Sequence, residues 1–286
     1  MRATSLTASD LRIRNMRQDE IALAVEWAAA EGWNPGLSDA VCFAAVDPKG
    51  FFIGEIDGDP VATVSCVNYD EHFSFLGFYI VRADVRGHGY GLQMWNAAVA
   101  HAGARVIGLD GVVAQQDNYK KSGFKLAYAN VRYGGTVAAT EMPRGIVPLG
   151  DIPLAMVEAD DATVFPAARP SFLRAWIGAA AHVGRALLRD GKLAGWGVIR
   201  PCRKGFKIGP LVADDRVAAE AVLSALLGSV GGGDIFIDVP AINPDAVALA
   251  KGLALTPAFE TARMYTGAIP SLRLDRVFGV TSFELG

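Results

Sequence analysis

Short apolar runs alternate along the chain with stretches whose apolar residues recur every three or four positions, the mark of strands alternating with helices. Residues 11–16 (LRIRNM) read as a first strand. Asp19 can then cap a helix in which Ile21, Val25 and Ala28 share one face. Glu31-Gly32-Trp33-Asn34-Pro35-Gly36 stops it, since glycine and proline both break helices. A short helix over Ser38 to Ala45 follows. Phe51 to Val67 is the plainest hairpin, with two β-rich runs flanking Asp57-Gly58-Asp59-Pro60. Phe73 to Val81 is nearly all apolar, as for a strand buried on both faces. A glycine-rich turn then leads into a helix from Leu92 to His101. Ala104 to Leu109 is a buried strand, Gln115 to Ser122 a helix capped by Gly123, and Lys125 to Tyr133 a strand.

Residues 134–151 are rich in Gly, Pro and Thr and read as a linker, giving domains over residues 11–134 and 145–286. The second half repeats part of the order. Strands are expected at Leu193 to Cys202 and Lys204 to Val212, a helix from Asp214 to Leu227, and a buried strand at Asp234 to Val239. A helix from Asn243 to Lys251 and a strand at Ala258 to Gly267 follow. VIGLD before a helix ending in Gly123-Phe124 parallels IFIDV before a helix ending in Gly252-Leu253. Each is followed by a strand carrying an Arg and a Tyr: Arg132-Tyr133 in one half, Arg263 and Tyr265 in the other. The pattern reads as a diverged internal duplication.

Composition narrows the function. The 286 residues suffice for two domains, and 51% hydrophobic with 20% charged residues is globular. A net charge of -3 leaves no basic excess to neutralise a phosphate backbone, so no nucleic-acid partner is expected. The first ten residues hold no apolar core of a secretory signal, and no apolar stretch approaches the ~18 residues of a membrane span. A cytoplasmic protein without a membrane partner is the expectation. Cys42, Cys66 and Cys202 form no CxxC pair, and His72, His101 and His182 lack metal-ligand spacing, so no metal is expected.

The chemistry concentrates at Arg86-Gly87-His88-Gly89-Tyr90-Gly91, between a buried strand and a helix. Glycines let several backbone N–H groups converge, the helix N-terminus adds partial positive charge, and Arg86 adds a full one. A pyrophosphate fits such a turn. A dinucleotide turn needs G-x-G-x-x-G, but Leu92 or Met94 stands where the third glycine belongs. Asp110 ends the next strand as a ribose-binding acid would, yet the glycine spacing fails in both registers. No Gly-Lys-Ser/Thr follows either, which excludes a Walker loop.

Arg86-x-x-Gly89-x-Gly91 before a helix resembles the acyl-CoA signature of the GNAT N-acetyltransferase superfamily. Tyr119-Lys120-Lys121-Ser122-Gly123-Phe124 resembles that superfamily's Y-x-x-x-G-F element. EGWNPG, IGLDGVVAQQDNYKKSGF, IDVP and RMYTG further resemble the two-domain bacterial YitH/HolE-like acetyltransferases, whose second domain is a diverged GNAT-like domain. The resemblance implies an α/β (α+β) fold: a GNAT-like mixed sheet flanked by helices, then a second diverged domain.

It also implies roles. Backbone groups of Ile80 and Val81 would pair with the pantetheine arm of acetyl-CoA. The N–H groups of Arg86, Gly87, His88, Gly89, Tyr90 and Gly91 would hold its pyrophosphate. Tyr119 would protonate the leaving thiolate. Many relatives carry an Asn about seven residues before this Tyr; Val112 stands there, and Gln115 or Gln116 is the candidate substitute. Glu31 is the first choice of base, with Asp39, Asp70, Glu71 and Asp110 as rivals. Trp33, Asn34, Asp238 and Arg263 are candidates for the acceptor side.

In the second half, Ala213-Asp214-Asp215 would set acid where a phosphate turn belongs, and Ala248 replaces the Tyr. That half is expected to bind no CoA and to shape the acceptor pocket instead. The expected activity is acetyl transfer from acetyl-CoA to a primary amine, of a small molecule or of a peptide, by direct attack in a ternary complex; amino acid, polyamine, antibiotic and protein N-terminus are all open as acceptors. A regulatory acetyl-CoA sensor without turnover is the alternative; oligomeric state is not legible.

Overall fold

The apolar runs join edge to edge into one continuous sheet of 13 strands in the computed structural model, which describes residues 11–286. The first ten residues, read above as no secretory signal, lie outside the described residues. In chain order the elements are β1 (Arg12–Asn15), α1 (Ile21–Ala30), α2 (Asp39–Ala44), β2 (Phe51–Ile56), β3 (Asp59–Asn68) and β4 (Phe73–Val81). Then come α3 (Tyr90–Ala102), β5 (Val106–Val112), α4 (Gln116–Lys121), β6 (Lys125–Ala138), β7 (Ile146–Pro148), α5 (Leu154–Asp161), α6 (Pro170–Gly178) and β8 (Val183–Arg189). The chain finishes with β9 (Lys192–Pro201), β10 (Phe206–Ala213), α7 (Arg216–Val230), β11 (Gly232–Pro240), α8 (Pro244–Gly252), β12 (Thr256–Tyr265) and β13 (Val277–Gly279).

Local rules account for most boundaries. Asn243 caps α8 by accepting from the N–H groups of Asp245 and Ala246. Asp215, one residue after the expected start, caps α7 by accepting from Ala218 N–H. The linker is shorter than residues 134–151, because β6 runs on to Ala138 by pairing with β11 and β7 takes up Ile146–Pro148. No helix among the described residues is long and apolar enough to cross a membrane.

The strand order, β1-β2-β3-β4-β5-β12-β6-β11-β10-β9-β8-β7, contains an exchange. β5 of the first half pairs with β12 from the second, and β6 of the first half lies between β12 and β11. The repeat foreseen in sequence thus becomes a near-twofold crossing of equivalent strands. Asp110 on β5 stands opposite Arg263 on β12, with Nε at 2.8 Å and Nη2 at 2.6 Å. Asp238 on β11 stands opposite Arg132 on β6, with Nε at 2.6 Å and Nη2 at 2.8 Å. All four side chains are buried. Each guanidinium also lies over two aromatic rings: Phe75 and Tyr128 for Arg263, Phe259 and Phe283 for Arg132.

Candidate active site

β4 and β5 pair in parallel only from Phe73 and Val106 to Leu76 and Leu109. Beyond that, β4 holds one residue more than its partner β3, between Gly77 and Ile80, and bulges away. Phe78 adopts φ 47°, and its carbonyl accepts from Thr63 Oγ1 at 2.9 Å. The strands therefore split, and a cavity of ≈ 380 Å³ opens between them. Residues 77–81 form one wall and Asp110, Gly111 and Val112 the other. Arg82 N–H donates to Val61 on β3, so by strand alternation the backbone of Val81 faces the gap.

The cavity passes through the sheet. On the α3 face Tyr119 belongs to the core shared with Trp95 and Phe124, on whose rings it stacks and abuts. It packs so closely on β5 that a Cβ at Gly111 would lie 2.2 Å from its ring. Burial, with Tyr79 nearby, pushes the Tyr119 phenol up to about 12. On the opposite face Phe283 belongs to the other core, with Trp33 and Phe259 packed against it. Glu31, Trp33, Phe259, Thr261, Phe283 and Glu284 also line it.

The glycine turn lies beside the mouth. Gly87 and Gly89 take φ 85° and 83°, open to glycine at no steric cost, and α3 starts at Tyr90. The Tyr79 hydroxyl lies 2.6 Å from where a Cβ at Gly91 would stand, so a side chain there would have to displace the Tyr79 ring. Arg86 is the residue of the turn that lines the cavity. Its Nε donates to Val81 C=O at 2.7 Å and its Nη2 meets Glu31 at 2.5 Å. Gly87, His88 and Gly89 are exposed at the surface, whereas the Tyr90 ring is buried and stacks on the His88 ring.

Two regions of the family models match: "Acetyltransferase (GNAT) family" over residues 15–124 and "Acetyltransferase (GNAT) domain" over residues 157–279. The chain is similar to holothin acyltransferase of Pseudoalteromonas sp. (strain SANK 73390), at 31% identity over 94% of this chain and 92% of that one. The chain belongs to the GNAT acetyltransferase family. It is a tandem-domain acyltransferase. A candidate acetyltransferase from Pyrococcus horikoshii shares its fold over 100% of this chain and 99% of that one, with a TM-score of 0.82 at 23% identity. A tandem GNAT protein from the clavulanic acid biosynthesis pathway covers 91% of this chain, and 99% of its own length matches, with a TM-score of 0.59 at 15% identity.

Of the residues singled out in sequence, Glu31, Trp33, Ile80, Val81, Arg86 and Tyr119 meet in this one cavity of the GNAT chain. Gln115 lines it and Gln116, at the first turn of α4, does not. Three acceptor-side candidates lie outside this lining. Asp238 and Arg263 are absent from the lining, because each is buried in an ion pair of the strand exchange. Asn34 is absent too: its amide donates to Lys204 C=O and accepts from Lys204 N–H, clamping the Trp33 loop to the β9–β10 turn. Tyr79, Phe259, Thr261, Phe283 and Glu284 were not singled out, although the aromatic pair bracketing the late RMYTG segment was readable.

None of the rival bases is free in the cavity: Glu71 is exposed and absent from the lining, and the other three are engaged by neighbouring groups. Asp110 holds Arg263 and Asn130. Asp39 is fully buried on Arg200 and on Gly36 N–H. Asp70 accepts from the N–H groups of His72 and Phe73. Burial pushes the thiols of Cys42 and Cys66 up, to about 11 and about 12, and raises Cys202 as well. None is a ready nucleophile.

In the second half, β10 and β11 also pair in parallel only briefly, from Phe206 to Ile208. There the gap beyond is filled: β13 pairs with β10, and Val280 N–H donates to Asp238 C=O at 2.8 Å.

Proposed function

We propose that this GNAT chain transfers an acetyl group from acetyl-CoA to a primary amine, by direct attack in a ternary complex formed in the β4–β5 gap. The observation that carries this reading is the through-sheet cavity, with the glycine turn and Tyr119 on one face and the Trp33 loop on the other. Its fit to an acyl-CoA is supported by the Val81 backbone turned to the gap and by the N-terminus of α3 behind two left-handed glycines. When bound, acetyl-CoA supplies the activated acyl group.

The chain's own residues hold and orient. Arg86 now balances Glu31 and would turn to the pyrophosphate, a charge-assisted contact. Tyr119, held protonated by burial, offers the departing sulfur a hydrogen bond that strengthens as charge develops. The filled β10–β11 gap supports a second half that binds no acyl-CoA of its own. The similarity to holothin acyltransferase supports a small-molecule acceptor.

Calorimetric titration with acetyl-CoA, with NAD as control, tests the reading. Saturation at one acetyl-CoA per chain, with no heat from NAD, is expected. Absence of acetyl-CoA binding would end it. Binding without thiol release across an amine panel would turn the reading to a sensor.

A further inference from the structure

The acceptor face of the cavity is built by the second half of the chain. Phe259 and Thr261 come from β12, and Phe283 and Glu284 from the buried segment that follows β13. That segment passes close over the β4 bulge, where a Cβ at Gly77 would lie 2.1 Å from the Glu284 carbonyl oxygen. Glu284 is 2% exposed, and neither carboxylate oxygen has a hydrogen-bond partner among the described residues. The Thr261 hydroxyl is likewise unpartnered. A buried carboxylate left so is strongly disfavoured unless something completes it.

The surrounding charges do not complete it. Arg132 of β6, Lys207 of β10 and Arg200 of β9 face Glu284. Arg132 is engaged with Asp238 of β11, and Arg200 with Asp39 of α2. The Lys207 ammonium donates to Trp33 C=O at 3.5 Å and forms no ion pair among the described residues. Taken together, three cations balance three carboxylates, but Glu284 touches none of the cations.

We propose that Glu284 receives the acceptor ammonium and takes its proton, and that the acceptor is a small primary amine on a flat apolar body. This rests on the reading above of acetyl transfer in the β4–β5 gap. Trp33, Phe259 and Phe283 supply apolar walls suited to such a body, and Arg132 stiffens the latter two from behind. The protons balance. The ammonium gives one to Glu284, which passes it to solvent. The neutral nitrogen then attacks the acyl carbon, the C–N bond forms and the C–S bond breaks. The second proton leaves the nitrogen, and one proton ends on the departing sulfur. An alkylamine with pKa near ~10.4 is neutral only about once in 2,500 molecules at pH 7, so a base has work to do.

The test compares two probes of one shape: 2-phenylethylamine, an ammonium at pH 7, and O-benzylhydroxylamine, which is neutral there. Thiol release from acetyl-CoA is followed for wild type, Glu284→Gln and Glu284→Asp, with acetyl-CoA affinity by calorimetry as the control for folding. For Glu284→Gln, kcat/KM for 2-phenylethylamine is expected to fall by about 10²–10⁴ at pH 7 and to recover toward pH 10. With O-benzylhydroxylamine the loss should stay under about tenfold, and Glu284→Asp should restore part of the activity. Equal losses on both probes would assign Glu284 a structural role and overturn the proposal. So would wild-type turnover in a Gln variant that binds acetyl-CoA normally, or a wild type that acetylates spermidine but not 2-phenylethylamine. If Glu284→Gln does not fold, the wild-type preference between those two amines still decides the acceptor class. Loss of acetyl-CoA binding by the wild type would instead be a failure of the underlying reading.

Discussion

Replacing Asp238 by Asn tests the strand exchange most directly. The carboxylate is fully buried, and burial alone would raise its pKa; Arg132 opposite outweighs that and holds it below the ordinary carboxylate value. Asn keeps the shape and removes the charge, leaving the Arg132 guanidinium buried near Lys207 without a counter-ion. Breaking one partner of a buried pair costs about 3–5 kcal/mol. With an unfolding entropy of about 0.6 kcal/mol/K for a chain of this length, Tm should fall by roughly 5–9 °C. Because β6 and β12 lock both halves into one sheet, the variant should still melt in a single transition, read by calorimetry. The paired change Arg132→Met with Asp238→Leu should recover most of the loss; the rest belongs to the Arg132 contact with Trp33 C=O. A shift under about 1 °C, or a second transition left at the wild-type temperature, would refute the exchange as the bond between halves.

Other outcomes follow from the same geometry. Tyr119→Phe should keep acetyl-CoA affinity within a factor of two and lower kcat by about 10²-fold or more; its phenol, pushed up to about 12, should give no falling limb of rate below pH 10. Gly77→Ala forces a methyl group against the Glu284 carbonyl, so acceptor KM should rise with little change in acetyl-CoA affinity, as steady-state kinetics and calorimetry would report. His182, buried beside Trp176, has its pKa lowered to about 4 by burial and by Arg200. It is neutral in the fold while the unfolded chain takes up a proton near ~6.5, so stability should fall as pH drops from about 6.5 to about 4 and flatten below. Urea melts of His182→Gln should lack up to roughly 3 kcal/mol of that slope.

Legibility followed sequence distance. The β4 strand, the turn and the α4 tyrosine fall within one stretch of chain, and local pattern placed all three. The repeated Asp and Arg were visible too, but their pairing was not: Asp110 and Arg263 are 153 residues apart, and Asp238 finds Arg132, not its neighbour in sequence. A buried ion pair and a substrate-binding charge have the same spelling, so sequence alone does not reveal that Asp238 and Arg263 sit in ion pairs. The β4 bulge depends on Phe78 at a positive φ, a conformation no propensity assigns to phenylalanine. Glu284 was silent because its surroundings come from β4, β6, β9 and β10, and no local window contains them.

The crossing of β6 and β12 has the topology of two chains that have traded strands. Two identical chains that trade their last strands form a closed twofold dimer in which each sheet is finished by the neighbour. Joining such chains end to end would give this topology, with the stretch between β6 and β7 as the seam. In a single chain the two gaps need not be alike. One could be stopped by β13 while the same segment, running on, furnished the other. Cut at that seam, neither piece holds the strand its own sheet needs: the first lacks β12 beside β5, the second lacks β6 beside β11. Co-expressed, the two pieces should therefore find each other and behave as an obligate heterodimer, stable only in company.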